Sequence, residues 1–292
     1  MSTKLLAFGE VLWDNIEGRM AIGGALFNLA AHAAKLGIDE VYLFSAVGKD
    51  ELGDRTLDCI RAAGVRTDFV RKVDLPTSII NVTLDSEGVP TYDIPADATW
   101  DHLTADQHDI DRINEIGFDF LCFGTLAQRK SLSHQNLLNL VNSCSFKRIF
   151  FDVNLRLDFY SRDLIRALLQ ASGIVKLNRD ETTTVGEMFD IDSSDPADFA
   201  GQLMVMFEIA TVIVTDGDKG AHILSGHDTA SCQGFKVEVA DTVGAGDAFS
   251  AATIAAITAG RSLHEVCEYA CRVGALVASR PGAVPEYQIS DL

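Results

Sequence analysis

What most constrains this 292-residue chain is a rhythm in which short, unbroken apolar runs alternate with helix-like segments almost from end to end. Residues 5–8, 41–47, 118–123, 148–153, 174–177 and 211–215 read as strands without polar alternation. A strand covered on both faces, as in a parallel sheet, requires that pattern. Helical spacing falls between them, for example over 25–36, 52–63, 133–142 and 164–171. The predicted fold class is therefore α/β, with a central, mainly parallel sheet between helices.

Two stretches break the rhythm. Residues 67–94 hold alternating segments (69–73, 78–84, 91–94) separated by Pro76 and a turn signal at 85–88. This predicts antiparallel strands with no helix between them, a small β excursion suited to covering a cleft. Residues 221–239 read as hairpin-like, with breaks at 226–228 and Gly234. No internal repeat or long linker is visible, so the expectation is one domain over 1–292. Its β lid would be formed by about 12–22 and 67–95.

Charge and cysteine usage narrow the function classes. Lysine and arginine number 24 against 42 acidic residues, a net charge of −18. Such a field repels phosphate backbones and anionic bilayers, so neither nucleic acid nor membrane is expected as a partner. No apolar stretch is long enough to span a bilayer, and Glu10 interrupts any early secretory core. The six cysteines form no CxxC and several sit in apolar runs. Reduced packing thiols, including the pair Cys267 and Cys271, in a cytoplasmic protein are the expectation.

Two glycine clusters carry the chemistry. The run 241–250, DTVGAGDAFS, precedes an alanine-rich helical stretch. Gly244 and Gly246 clear side chains from the point where a helix begins, so the amides of Gly244, Ala245 and Gly246 can receive an anion. A carboxylate beside an anion site makes sense only if it has a proton to remove. Phosphoryl transfer supplies that case: the amides hold developing negative charge while Asp247 accepts the proton of an attacking hydroxyl. The second cluster is Gly23-Gly24 followed by Asn28, whose amide can both donate to and accept from a polyol, with Gly37 as the stop of its helix.

With these motifs in view, the chain resembles the ribokinase-like (PfkB) carbohydrate kinases. GGALFNLAAHAAKLG is similar to their N-terminal signature and DTVGAGDAFSAA to their C-terminal one, with similar pieces at 47–53, 152–156, 178–181 and 215–220 in the family's order. The resemblance implies an ATP-dependent sugar kinase with Mg²⁺, a β lid over the sugar, and Asp247 as base. It implies that Asp14, Gly23, Gly24 and Asn28 hold the sugar. Asn178 and Glu181 would organise Mg²⁺ and phosphates, Glu181 through water, and Thr215, Gly217 and Gly220 would face the nucleotide. Arg156 would supply local positive charge at the catalytic centre. A K⁺ ion beside Asp241 and Val243 is implied by some members. The opening GEVLWD and the segment GTLAQR, ending at Arg129, resemble fructokinases, which implies fructose as acceptor and Arg129 as a further sugar or phosphate contact. Ribose and 2-keto-3-deoxygluconate are the alternatives within the family, and a non-catalytic sugar-binding regulator is the alternative outside it. Unpaired lid edges would suit a homodimer. The P-loop pattern GxxxxGK[ST], the GxGxxG fingerprint, HExxH and GxSxG are all missing, which removes the corresponding nucleotide-binding and hydrolase readings.

Overall fold

The computed structural model describes residues 2–84 and 90–292. In chain order the elements are β1 (Lys4–Phe8), β2 (Leu12–Ile16), β3 (Arg19–Gly23), α1 (Ala25–Lys35), β4 (Glu40–Gly48), α2 (Glu51–Ala62) and β5 (Arg66–Val73). Then come β6 (Ile79–Leu84), β7 (Pro90–Asp93), α3 (Gln107–Ile116), β8 (Phe120–Gly124), α4 (Ser131–Ser143), β9 (Arg148–Asp152), α5 (Arg162–Gln170) and β10 (Ile174–Asn178). The chain closes with α6 (Arg179–Phe189), α7 (Pro196–Phe207), β11 (Thr211–Thr215), β12 (Ala221–Ser225), β13 (Asp228–Cys232), α8 (Ala245–Thr258) and α9 (Leu263–Ala278).

Nine of these strands form one sheet in the order β13-β12-β11-β10-β9-β8-β1-β4-β5. From β11 to β5 every pairing is parallel, and only β12 runs against its neighbours. Alternate residues of the central strands enter two separate cores, which is why their sequences show no polar period. Leu6 and Phe8 of β1 join one core with Phe123 and Phe151, while Leu5 and Ala7 join the other with Phe120 and Phe150. Ala30 and Ala31 of α1 and Ala251 and Ala252 of α8 are fully buried on this second side, where small side chains let the helices approach closely. Large aromatics such as Phe8 and Phe44, stacked at 5.0 Å, fill the first side.

The excursion differs from the expectation in one part. Residues 69–73, read as an antiparallel lid strand, belong to β5, which pairs parallel with β4 at the edge of the large sheet. An edge strand buries only alternate residues, here Phe69 against Phe44 and Tyr42, and so carries the same period-2 signal as a surface hairpin. The remaining segments form a separate four-stranded sheet, β3-β2-β6-β7. Within it β2 pairs parallel with β6, Trp13 opposite Ile79, whereas β2–β3 and β6–β7 are antiparallel. The turn signal at 85–88 lies outside the described residues.

Chain order reverses at β1, with β4 and β5 on one side and β8 onward on the other. In open α/β sheets the crevice beyond the carboxyl ends of strands at such a reversal is where ligands bind. The loops after β1, β8, β9 and β10, and the starts of α1 and α8, all converge there. No helix among the described residues is long and apolar enough to cross a membrane.

Candidate active site

α8 starts at Gly244, whose φ of 79° is left-handed; a Cβ there would stand 2.1 Å from the Ala283 carbonyl oxygen. Glycine is required by both the backbone angle and the close approach of the 283 segment. That segment is anchored on α1, because His32 places one ring nitrogen 2.9 Å from the Ala283 oxygen and the other 2.8 Å from the Tyr287 hydroxyl. Burial keeps His32 neutral, its pKa lowered to about 4. The two glycine motifs, 220 residues apart in sequence, are thus clamped side by side.

Across this junction Asn28 donates from Nδ2 to Asp247 Oδ2 at 2.9 Å, so the two candidate residues meet directly. The Asn28 Oδ1 atom is buried and has no partner among the described residues. Burial, with the Asp152 charge nearby, raises Asp247 to about 6, against the opposing pull of Asn28, Lys176 and Arg156. A carboxylate tuned there is ionised at neutral pH yet basic enough to take a hydroxyl proton in flight. Of the three amides expected to cradle an anion, that of Ala245 donates to the Thr242 oxygen at 3.3 Å. Those of Gly244, Gly246 and Asp247 have no partner among the described residues.

On the small-sheet side, Asp14 lies on β2 opposite Ala21, and its Oδ2 occupies the place a Cβ on Gly23 would take, 2.5 Å away. Burial raises Asp14 to about 6, with Arg156 opposing. Gly24 caps α1 with φ 107°, and a Cβ there would fall 2.6 Å from the Glu10 carbonyl oxygen. Having no side chain, Gly24 leaves α1 uncapped, and Glu10 performs the task from a distance by accepting the Ala25 amide at 3.1 Å. Its other oxygen is buried and unpartnered among the described residues, and burial raises the group to about 7, helped by the charge of Asp247.

On the other side, Asn178 caps α6 and accepts from the Glu181 amide at 2.9 Å, while Glu181 Oε2 accepts from the Asn178 amide at 2.8 Å. Glu181 Oε1 accepts the Leu155 amide at 2.9 Å, holding the loop that follows β9. Thr215 ends β11, and Gly217 and Gly220 bracket a helical turn, 217–219, packed on the 232–234 backbone. Arg156 is exposed on the loop after β9, yet its charge reaches Glu10, Asp14 and Asp247 alike. The Asp241 and Ala278 segments meet through the Ala240 and Asp241 amides, both donating to the Ala278 oxygen. Val243 is exposed, its amide donating to Asp241 Oδ1 at 3.0 Å.

Arg129 has two of its three guanidinium nitrogens engaged within the protein. Its Nε and Nη2 pair with the two Asp101 oxygens at 2.8 and 2.6 Å, Nη2 also donates to the Pro95 oxygen, and Phe159 stacks on the guanidinium at 4.6 Å. A planar fork matched to a carboxylate serves as a structural tie here, binding the root of the small sheet to the body.

Sequence reasoning missed the group beneath the cradle. Lys176 Nζ is bonded to both Asp152 oxygens, at 2.9 and 3.0 Å, and lies 3.4 Å from where a Cβ on Gly246 would be. Burial opposes the lysine's charge, but Asp152 and Glu181 outweigh it and hold the ammonium above its ordinary range. Ser250 of α8 donates to Asp152 Oδ2 at 2.7 Å. The signal was a lysine inside a buried apolar strand, a place where an unpaired charge is prohibitively costly.

These residues can bind a polyol at Asp14, Asn28 and Asp247, take its proton, and receive an anion at the start of α8. Residues 2–288 match the pfkB family carbohydrate kinase pattern. The chain belongs to the PfkB family of carbohydrate kinases. Among its relatives is a fructokinase-2 of Oryza sativa, 25% identical over 309 residues that cover 96% of this chain and 90% of the relative. Among solved structures, a Xylella fastidiosa fructokinase with bound ATP aligns over 97% of this chain and 94% of its own, with TM-score 0.82 and 20% identity. The 2-dehydro-3-deoxygluconokinase of Thermotoga maritima covers 100% and 97%, with TM-score 0.85 and 18% identity. As a PfkB carbohydrate kinase the chain is a phosphotransferase acting on a sugar, and its large sheet with a separate small one is the ribokinase-like fold.

Proposed function

We propose that this PfkB kinase transfers the γ-phosphoryl group of ATP to a primary hydroxyl of fructose, with Asp247 as the base. The contact between Asn28 and Asp247 at the start of α8 carries the reading. A sugar hydroxyl placed there can give its proton to Asp247 while the amides of Gly244, Gly246 and Asp247 receive the charge of the moving phosphoryl group. Asp14 and the unpartnered oxygens of Asn28 and Glu10 are acceptors, matched to a neutral, hydroxyl-rich ligand. A sugar acid or sugar phosphate would bring its own charge toward these carboxyls, which favours fructose over 2-keto-3-deoxygluconate. The opening Gly9–Asp14 sequence favours fructose over ribose.

Asn178, Glu181, Thr215, Gly217 and Gly220 form the nucleotide side. The cluster of Asp152, Glu181 and Asp247 sets three carboxylates against the single ammonium of Lys176, an oxygen-rich surplus of negative charge that suits Mg²⁺. Each Glu181 oxygen accepts only one amide and keeps a lone pair for a metal-bound water. Bound there with ATP, the ion would neutralise phosphate charge. A K⁺ ion at the Asp241–Val243 segment, a homodimer through the small sheet and a cytoplasmic location complete the reading. Turnover of fructose, ribose and 2-keto-3-deoxygluconate with Mg-ATP, scored by coupled ADP release, tests it. Fructose should be preferred, and binding of every sugar without phosphorylation of any would leave a sugar-binding regulator instead.

The small sheet acts as the lid. Fructose binding is expected to slow amide exchange across β6, and exchange that is unchanged at saturating sugar would show that the sheet does not close.

A further inference from the structure

A cavity of about 500 Å³ opens on the other side of the Arg129 tie, between the start of α4 and the loop leading into α5. Apart from Arg129, none of its lining residues is assigned above to sugar or nucleotide. Its lining includes side chains with buried polar atoms that have no partner among the described residues. α4 is a 13-residue helix with no capping side chain and no acid in its first turn, so its leading amides and the positive end of its dipole face outward. Gln128, only 2% exposed, borders the cavity, and both of its side-chain amide atoms lack partners among the described residues. Arg129, its side chain 3% exposed, has spent Nε and Nη2 on Asp101 but leaves Nη1 buried and unpartnered. A cationic nitrogen and a buried amide left unsatisfied beside a bare helix start cost free energy unless an acceptor arrives. Lys130, on the element that starts α4, and Asp158 and Asp163, on the segment leading into α5, also line it; the two carboxylates can only accept from a ligand.

We propose that this cavity is a second binding site, for a small phosphorylated polyol whose phosphate meets the start of α4 and whose hydroxyls face Asp158 and Asp163. An oxyanion at a helix N-terminus is held by amides and dipole together, and the unpartnered Arg129 nitrogen adds a charge-assisted donor. Donors from the α4 segment together with carboxylates from the α5 segment in one lining disfavour both a neutral sugar and a bare anion. Arg129 also grips Pro95 at the root of the small sheet, so an occupant would press on the element that covers the sugar.

The site stands independently of the fructose reading, and its test uses the full chain with fructose 6-phosphate as probe. Hydrogen exchange should slow at 128–134 and 158–164 with half-saturation in the millimolar range, whereas fructose alone should leave both segments unchanged. Ser131→Asp places a carboxylate in the first turn of α4, a change that favours the helix while repelling the ligand. It should raise the half-saturation concentration tenfold or more, and Ser131→Ala should not. Protection confined to Asn28 and the start of α8, equal protection by inorganic phosphate, or unchanged binding in Ser131→Asp would each overturn the proposal. A chain that phosphorylated no sugar could still show the footprint, so this result and the sugar panel fail separately.

Discussion

Asp247→Asn is expected to lower fructose turnover by about 10²–10⁴-fold while leaving the sugar KM nearly unchanged. The amide keeps the size of the carboxyl and can still meet Asn28, so the sugar pocket persists. What it lacks is a lone pair basic enough to accept the hydroxyl proton, a deficit felt only as the reaction proceeds. Steady-state kinetics by ADP release reads both quantities. A variant with near-normal kcat would remove Asp247 from the proton transfer, and one with intact kcat but a greatly raised KM would make it a sugar ligand only.

The second large effect concerns Lys176. Lys176→Met strips Asp152 of its buried partner and is expected to cost about 3–5 kcal/mol of stability, measured by denaturant unfolding. The double change Lys176→Met with Asp152→Leu should recover most of that loss, because Asp152 no longer stands as an unpaired buried charge between β9, β10 and α8. Activity should stay low in both, since the single variant loses the ammonium that balances the carboxylates and the double variant loses Asp152 as well. A double variant no more stable than the single one would contradict the assignment of Lys176 to charge compensation.

These two residues also mark what could be read from the chain alone. The place of Asp247 at the start of α8 was legible because glycines before a helix announce free amides, whereas its contact with Asn28, 219 residues away, was not. The central strands were legible because burial on both faces erases polar alternation. β5 was misread because an edge strand of a parallel sheet and a surface hairpin share one period, and only pairing distinguishes them. The partner of Lys176 lies 24 residues away in Asp152, itself bonded by Ser250 a further 98 residues on, which single-residue spacing cannot reveal. The pairing of Arg129 with Asp101, 28 residues upstream, left no local signature beside a motif that pointed to the sugar. Glu10 escaped notice because capping a helix from 15 residues upstream leaves no local signature.

The most direct measurement of proton removal by Asp247 is the pH dependence of a single turnover with fructose and Mg-ATP. Burial raises Asp247 to about 6, so its basic form prevails above that pH and is lost below it. The rate should be level above neutrality and fall about tenfold per pH unit below about 6. Glu10→Gln, which removes the neighbouring group raised to about 7, should keep that limb, and Asp247→Asn should abolish it. A limb that survives in Asp247→Asn with the same midpoint would show that another group takes the proton.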